Sequence, residues 1–168
     1  MSHCDCGATA GPLGVCADYY HEVLSEEQRD PEMYRWHAVV VCAYLLQHPP
    51  AGPGAYLDGQ YHLLQFYADK GLDALTRLQA HRVARNNHRA RATDDPGPLA
   101  PYAPLPATRP AGGFRATFSD LPFHDGSFLT DGHAAYGDRI DTIARATLET
   151  YGSLARRETT KARPPKRG

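Results

Sequence analysis

The sequence predicts a mainly α-helical protein, a small helical bundle with an N-terminal metal-binding cysteine knuckle and a proline-rich loop before the C-terminal helix. Apolar residues recur every three or four positions in several long segments, as on one face of a helix. Prolines and glycines separate those segments. With 168 residues the chain is long enough to bury a sizeable core. We therefore expect a single domain over residues 1–156 and a disordered basic tail over residues 157–168.

The best-marked helix is expected over residues 30–50. Asp30 can accept hydrogen bonds from the N–H groups of the first turn, and Pro31 follows where its missing N–H costs nothing. Pro49 cannot continue the hydrogen-bond ladder, so the helix ends before it. Five side chains spaced by three or four residues form one stripe of this helix: Tyr34, His37, Val41, Tyr44 and His48.

The glycine-punctuated segment of residues 1–16 holds three of the four cysteines, Cys4, Cys6 and Cys16. Thiolate sulfur and imidazole nitrogen are the ligands that zinc prefers in four-coordinate sites. In a reducing compartment, neighbouring cysteines more often bind metal or do redox work than form structural disulfides. We therefore predict that these three thiols bind one zinc ion. The alternative is that they are reactive surface thiols in a frayed N-terminus.

A histidine is expected to complete this zinc site. If residues 17–28 form a helix that runs antiparallel to the central one, Cys16 lies beside the C-terminal end of the central helix. His48 is at that end, which makes it the favoured fourth ligand. His37 is eleven residues away from His48, or roughly 16 Å at the helical rise, so one ion cannot bind both. The other candidates for this ligand are His37, His62 and Cys42.

Three more helices follow from the same periodicity. Residues 58–70 form one, with Gly71 placed to end it. Residues 72–91 form another, whose later half is rich in arginine. We interpret this charge run as a solvated helix face, with an anion contact as the alternative. Residues 133–156 form the last helix, and its core-facing stripe consists of Tyr136, Ile140, Ile143, Leu148, Tyr151 and Leu154.

The stretch between the last two helices is expected to be non-helical. Residues 93–113 are rich in proline, which stiffens an extended connection across the surface. Residues 114–121 alternate between apolar and polar side chains, which predicts one short strand or extended segment. Residues 122–130 are rich in turn formers, so His124 and Asp125 should be exposed.

Three motifs near the N-terminus carry a family resemblance. They read C-x-C-G-A, then C-A-D-Y-Y-H-E-V-L-S-E-E, and then Y-R-W-H-A-V-V-V-C-A-Y-L-L-Q-H-P. The chain resembles a family of small bacterial proteins known only as a domain of unknown function. That family has two residues between its first two cysteines, whereas one residue separates Cys4 from Cys6. The resemblance implies a bacterial source and supports a metal site, and it implies no particular reaction.

A second polar cluster is predicted away from the cysteines. Tyr34, His37 and Tyr44 lie in the middle of the central stripe, and His62 of the following helix can form a wall of the same pocket. Histidine has a pKa near neutrality and can act as a general acid or base, with tyrosine as an orienting donor. These four residues are therefore the candidate catalytic residues. For His37 and His62 the alternative is a hydrogen-bonded histidine of the core.

Composition and charge exclude several classes of function. The formal net charge is −1, so there is no global case for binding nucleic acid or an acidic membrane surface. No aromatic residues interleave the arginines of the basic helix, which disfavours single-stranded nucleic acid. No apolar run is long enough to span a bilayer. The N-terminus lacks the pattern of a secretory signal, which predicts a cytoplasmic protein.

Three hypotheses of function follow from these observations. The first is a zinc-binding helical protein whose ion is structural. The second is a metal-dependent enzyme of a specialised metabolic pathway, with a small-molecule ligand in the pocket of histidines and tyrosines. The third is an anion-binding or regulatory module that uses the basic helix and tail. Motifs of the common enzyme classes, such as H-E-x-x-H and G-x-S-x-G, do not occur. The sequence leaves the oligomeric state open.

Overall fold

The computed structural model describes residues 3–51, 55–86 and 97–162 of the chain, and this part is mainly helical, as predicted. Its six α-helices are α1 (Cys16–Glu27), α2 (Pro31–Tyr34), α3 (His37–Gln47), α4 (Ala55–Lys70), α5 (Leu72–Asn86) and α6 (Gly132–Ala162). Two short 3₁₀ turns, Gly97–Leu99 and Phe118–Asp120, interrupt the loops. The described residues contain isolated β-bridges and no strand.

Helix α3 is the centre of the bundle. It packs against both α4 and α6, and these two helices also contact each other. Its buried residues are Val39, Val40, Cys42, Ala43, Leu46 and Gln47. Two hydrogen bonds tie α3 to α6: the Tyr151 hydroxyl donates to the Leu46 carbonyl at 2.7 Å, and the Gln47 amide donates to the Thr147 hydroxyl at 2.9 Å. The C-terminal end of α3 is therefore held firmly in place.

The predicted stripe of α6 faces the core along most of its length. Tyr136, Ile140, Ile143 and Tyr151 are buried, whereas Leu148 and Leu154 are half-buried. The helix continues to Ala162, so the end predicted at residue 156 is too early. The rest of the predicted tail, residues 163–168, lies outside the described part of the chain, and the single domain over residues 1–156 stays a prediction. No described helix has the length and apolar character needed to cross a membrane.

The continuous helix predicted over residues 30–50 is wrong, because the chain breaks it into α2 and α3. The N-terminal cap is as expected, with the Asp30 carboxylate accepting from the N–H groups of Glu32 and Met33 at 2.9 and 3.1 Å. At the break the Trp36 N–H donates to the Met33 carbonyl, three residues back instead of four. The Trp36 ring packs against Gly137 of α6. The break therefore coincides with a tertiary contact, and tertiary context commonly overrides local helical preference.

The sequence predicts one short strand or an extended segment over residues 114–121; no strand forms, since residues 114–117 are irregular and Phe118–Asp120 form a 3₁₀ turn. The Asp120 carboxylate accepts from the Thr117 N–H at 2.7 Å and caps the turn. The buried Phe118 ring meets the edges of Tyr20 and Tyr44, which explains the apolar signal. The described part of the proline-rich connection, from residue 97 onward, has no regular secondary structure apart from its own short turn and contains several bends.

Boundaries of the middle helices differ little from expectation. Helix α4 begins three residues earlier than predicted and ends before Gly71, as expected. Helix α5 is described as far as Asn86, and the last five residues of the predicted helix lie outside the described part. His124 and Asp125 are exposed, as predicted.

Candidate metal centre

The N-terminal loop is folded by backbone hydrogen bonds that turn it back on itself. The Cys4 N–H donates to the Ala8 carbonyl at 2.9 Å, and the Gly7 N–H donates to the Cys4 carbonyl at 2.8 Å. Gly7 has a φ of 86°, in the left-handed region that glycine adopts without steric cost. The loop therefore makes a tight knuckle even though only one residue separates Cys4 from Cys6.

Cys16 and His48 reach the knuckle from two helix ends. Cys16 is the first residue of α1 and is fully buried, so its sulfur lies at the positive end of the helix dipole. His48 is the residue after α3, where its N–H still donates to the Tyr44 carbonyl at 2.8 Å. Its Nδ1 lies 3.2 Å from the same carbonyl oxygen, and its ring stacks on that of Tyr44 at 4.6 Å. These contacts turn Nε2 of His48 toward the cysteines.

The four donor atoms form one compact cluster. The Sγ atoms of Cys4, Cys6 and Cys16 and a ring nitrogen of His48 all lie within 4.8 Å of one another. Cys6 Sγ is 3.7 Å from Cys16 Sγ, and Cys4 Sγ is 3.2 Å from His48 Nε2. A disulfide would need about 2.05 Å between sulfurs, and all four cysteines of the chain are free. The antiparallel arrangement of α1 and α3 brings these atoms together, and the cluster is able to hold a metal ion.

Two of these distances can be compared with the edges of a tetrahedral site of the size that zinc requires. Bonds of about 2.3 Å to sulfur and about 2.0 Å to nitrogen separate two sulfurs by about 3.8 Å and a sulfur from a nitrogen by about 3.5 Å. The observed separations of 3.7 and 3.2 Å are close to those edges. Cys6 and Cys16 are buried, whereas Cys4 and His48 are half-buried.

The chain matches a described protein family over most of its length. A family of unknown function, DUF5946, matches residues 1–152. The chain belongs to this family. The match includes the knuckle, both helix ends of the cluster and most of α6, which confirms the resemblance to a domain-of-unknown-function family. Neither the comparison with curated proteins nor that with solved structures returned a match.

Hydrogen bonding within the cluster of this DUF5946 protein favours a thiolate. The hydrogen bond from Cys6, with further ones from His48 and Ser119, lowers the pKa of Cys16 against the opposing effect of its burial. The same bond to Cys16, together with burial, raises the pKa of Cys6. The two buried sulfurs therefore share one proton, and the charged form of sulfur is the form that binds metal.

The fourth cysteine of the DUF5946 chain has a different environment. The Cys42 thiol donates to the Gln60 side-chain oxygen at 3.0 Å, and burial raises the pKa of Cys42 to about 12. It packs as a small apolar residue between α3 and α4. His37 and His62, the remaining candidates for the fourth ligand, also have partners of their own.

The four candidate catalytic residues do not form a single cluster in the structure. Tyr34 stacks on His37 with ring centres 5.0 Å apart. Tyr44 lies between Tyr20 and His48, beside the metal cluster, with its ring 3.8 Å from that of Tyr20. His62 pairs with Asp58 of its own helix at 3.6 Å. Among the described residues, no hydrogen bond, ion pair or ring contact joins His62 to the other three.

Sequence reasoning missed the partner of His37. The Glu27 side chain, at the end of α1, is fully buried, and its Oε2 lies 2.8 Å from His37 Nδ1. Its Oε1 has no hydrogen-bond partner in the described part of the DUF5946 chain. The available signal was helical spacing, since Glu27 follows Tyr20 and Val23 on the apolar side of α1.

Proposed function

We propose that this DUF5946 protein binds one zinc ion through Cys4, Cys6, Cys16 and His48, and that the ion is structural. One observation supports the proposal: three sulfurs and one nitrogen lie within 4.8 Å of one another, and the Cys6–Cys16 and Cys4–His48 separations are close to the edges of a tetrahedral zinc site. Four protein ligands leave no coordination position for a water nucleophile, which is typical of structural zinc. The chain would then act in the bacterial cytoplasm, where neighbouring thiols stay reduced.

The ion would add a direct link between the N-terminal loop, α1 and α3, beside the contacts that already join the two helices. Its ligands come from the N-terminal loop, the first turn of α1 and the residue after α3. The loop's own backbone hydrogen bonds are local, between Cys4, Gly7 and Ala8 and between Gly11 and Gly14. Because such a site cannot persist in the unfolded chain, the free energy of metal binding becomes free energy of folding.

Elemental analysis of two histidine variants tests the ligand set. The wild-type protein should contain about one zinc per chain, and His48→Ala should lose most of it because one of the four ligands is gone. His62→Ala is the matched control, since His62 is also half-buried and has only Asp58 as a charged partner. It should keep its zinc. A wild-type protein without metal, or equal loss in both variants, would contradict the proposed site.

A second candidate function is catalysis by His37. The observation that favours it is the buried Glu27 carboxylate, which holds Nδ1 of a half-exposed imidazole. In such a pair the carboxylate fixes the ring orientation and leaves Nε2 to take or give a proton. Tyr34 stacks on this ring and is 51% exposed, so a small-molecule substrate can approach it. Tyr44 and His62 contact other partners and are not part of this pair.

The pKa of His37 reports on its hydrogen bond to Glu27. The hydrogen bond to Glu27 raises the pKa of His37 above its ordinary value of 6.5, and burial raises the pKa of Glu27 despite the opposing effect of His37. The folded protein thus holds these protons more tightly than the unfolded chain. Protonation of His37 therefore contributes to the free energy of unfolding. This contribution is fully present below about pH 6.5 and is lost as the pH rises through the raised pKa of His37.

Histidine titration by NMR should show a lower pKa for His37 in Glu27→Gln than in the wild-type protein. Asp30→Asn is the control, because the Asp30 hydrogen bond raises the pKa of His133 in the same way. It should lower the pKa of His133 and leave that of His37 unchanged. An unaltered His37 titration in Glu27→Gln would remove the support for this second candidate.

A further inference from the structure

A cavity of about 540 Å³ lies between the end of the proline-rich connection and the second half of α6. One wall is the loop of residues 108–113 together with Arg115. The other wall is one face of α6, from Glu149 to Arg157. The volume is within the range of about 300–1,000 Å³ that small-molecule sites occupy. None of the residues assigned to the zinc site or to the His37 pair lines it.

The lining is strongly cationic. Arg109, Arg115 and Arg157 line the cavity, and Glu149 is the one carboxylate among the lining residues. Arg115 and Glu149 form an ion pair at 3.3 Å, but their side chains are 72% and 59% exposed, so this pair is weak and exchangeable. Arg157 is exposed and forms no hydrogen bond or ion pair within the described residues. Arg157 therefore brings a positive charge to the cavity that Glu149, already paired with Arg115, does not neutralise.

The positive surface continues along α6 into an adjoining depression. Arg156, Arg157, Ser153 and Thr160 line this depression. The Arg156 guanidinium donates to the Ser153 hydroxyl at 3.0 Å, while that hydroxyl donates to the Glu149 carbonyl at 2.9 Å. Because the serine proton is already engaged, the guanidinium groups are the donors that would select a ligand here.

The loop wall is held in place from several sides. Gly112 has a φ of 107°, and a Cβ there would lie 2.6 Å from the Cys6 carbonyl oxygen, so only glycine lets the loop rest on the knuckle. The Glu158 carboxylate of α6 accepts from the N–H of Thr108 at 2.7 Å. The Arg109 guanidinium donates to the Pro50 carbonyl at 3.1 Å. These contacts preform the cavity before any ligand binds.

We propose that this cavity binds a small molecule that carries a phosphate or diphosphate group. Guanidinium groups match phosphate oxygens with paired hydrogen bonds, and several arginines around one cavity suit a multiply charged anion. The cavity lining contains no aromatic ring on which bases could stack, which argues against a single-stranded nucleic acid. Leu154 offers one apolar contact for the remainder of the molecule.

Calorimetric titration of the full-length, metal-loaded protein with pyrophosphate tests this site. Saturable binding is expected in the wild-type protein, with roughly ten-fold weaker binding in Arg157→Gln, because one charge-assisted contact is lost. Glu149→Gln should bind more tightly, since it removes the competing carboxylate and leaves Arg115 available. A gain of affinity cannot arise from a misfolded variant, so this second variant keeps the test decisive.

Arg77→Gln is the matched control, because Arg77 is an exposed arginine of α5 without a hydrogen bond or ion pair among the described residues. It should bind pyrophosphate as the wild-type protein does. Three results would overturn the proposal: no saturable binding, equal weakening in Arg77→Gln, or equally tight binding of citrate, which carries carboxylates of similar total charge.

Discussion

Stripping the proposed zinc ion with a chelator is expected to lower the midpoint of thermal unfolding by roughly 10–20 °C. Structural zinc sites bind with a free energy on the order of 10 kcal/mol or more, whereas whole domains are stable by about 5–15 kcal/mol. If about 5 kcal/mol is lost on net, each kcal/mol shifts the midpoint by roughly 2–4 °C at this chain length. Thermal scans followed by circular dichroism, before and after chelation and after zinc is returned, measure the effect.

Two cysteine variants separate loss of the ion from loss of packing. Cys16→Ser removes a ligand, so its unfolding midpoint should be low and no longer respond to the chelator. Cys42→Ser disturbs a buried thiol outside the cluster, so it should lose some stability and keep the full response. If chelation removes the metal from the wild-type protein without changing its unfolding midpoint, the ion is not structural. That result would leave an open or catalytic site as the better explanation.

The helical class and the relation between α1 and α3 followed from local signals. Periodicity marked the helices, and the positions of Asp30 and Pro49 marked two ends correctly within a few residues. An antiparallel pair of helices of known length fixes which ends meet, and this places Cys16 beside His48 rather than His37. These inferences needed only the helical rise and the order of the residues, which the sequence contains.

Other features depend on contacts between residues far apart in the chain. The break before His37 falls at Trp36, whose ring packs against a glycine about one hundred residues later, and no local pattern signals that contact. Burial of Glu27 next to His37 likewise depends on how α1 packs against α3. The cationic cavity combines the loop of residues 108–113 with α6, and its arginines are unremarkable in sequence. Local patterns predict elements well and predict the partners of individual side chains poorly.

The contact between Trp36 and α6 leads to a second prediction. Replacing Gly137 by alanine, a change that usually stabilises a helix, should here destabilise the protein. Alanine in place of glycine within a helix usually stabilises it by about 0.5–1 kcal/mol. At Gly137 of α6, however, a Cβ would lie 2.5 Å from Trp36 Cζ2 and 2.9 Å from Cε2. The indole is rigid and half-buried, with its ring 6.1 Å from that of Tyr67. Overpacking of this kind costs about 1–3 kcal/mol.

We therefore expect Gly137→Ala to lower the free energy of unfolding, by about 1 kcal/mol when the helical gain is subtracted from the middle of the overpacking range. Gly59→Ala is the matched control within α4, because a Cβ there meets nothing within 4 Å, and it should stabilise the protein instead. Urea unfolding measures both changes. Trp36 is the only tryptophan of the chain, so its fluorescence should shift in Gly137→Ala alone. Equal stabilisation by both alanines, with unchanged fluorescence, would show that the Trp36 indole is not packed closely against Gly137.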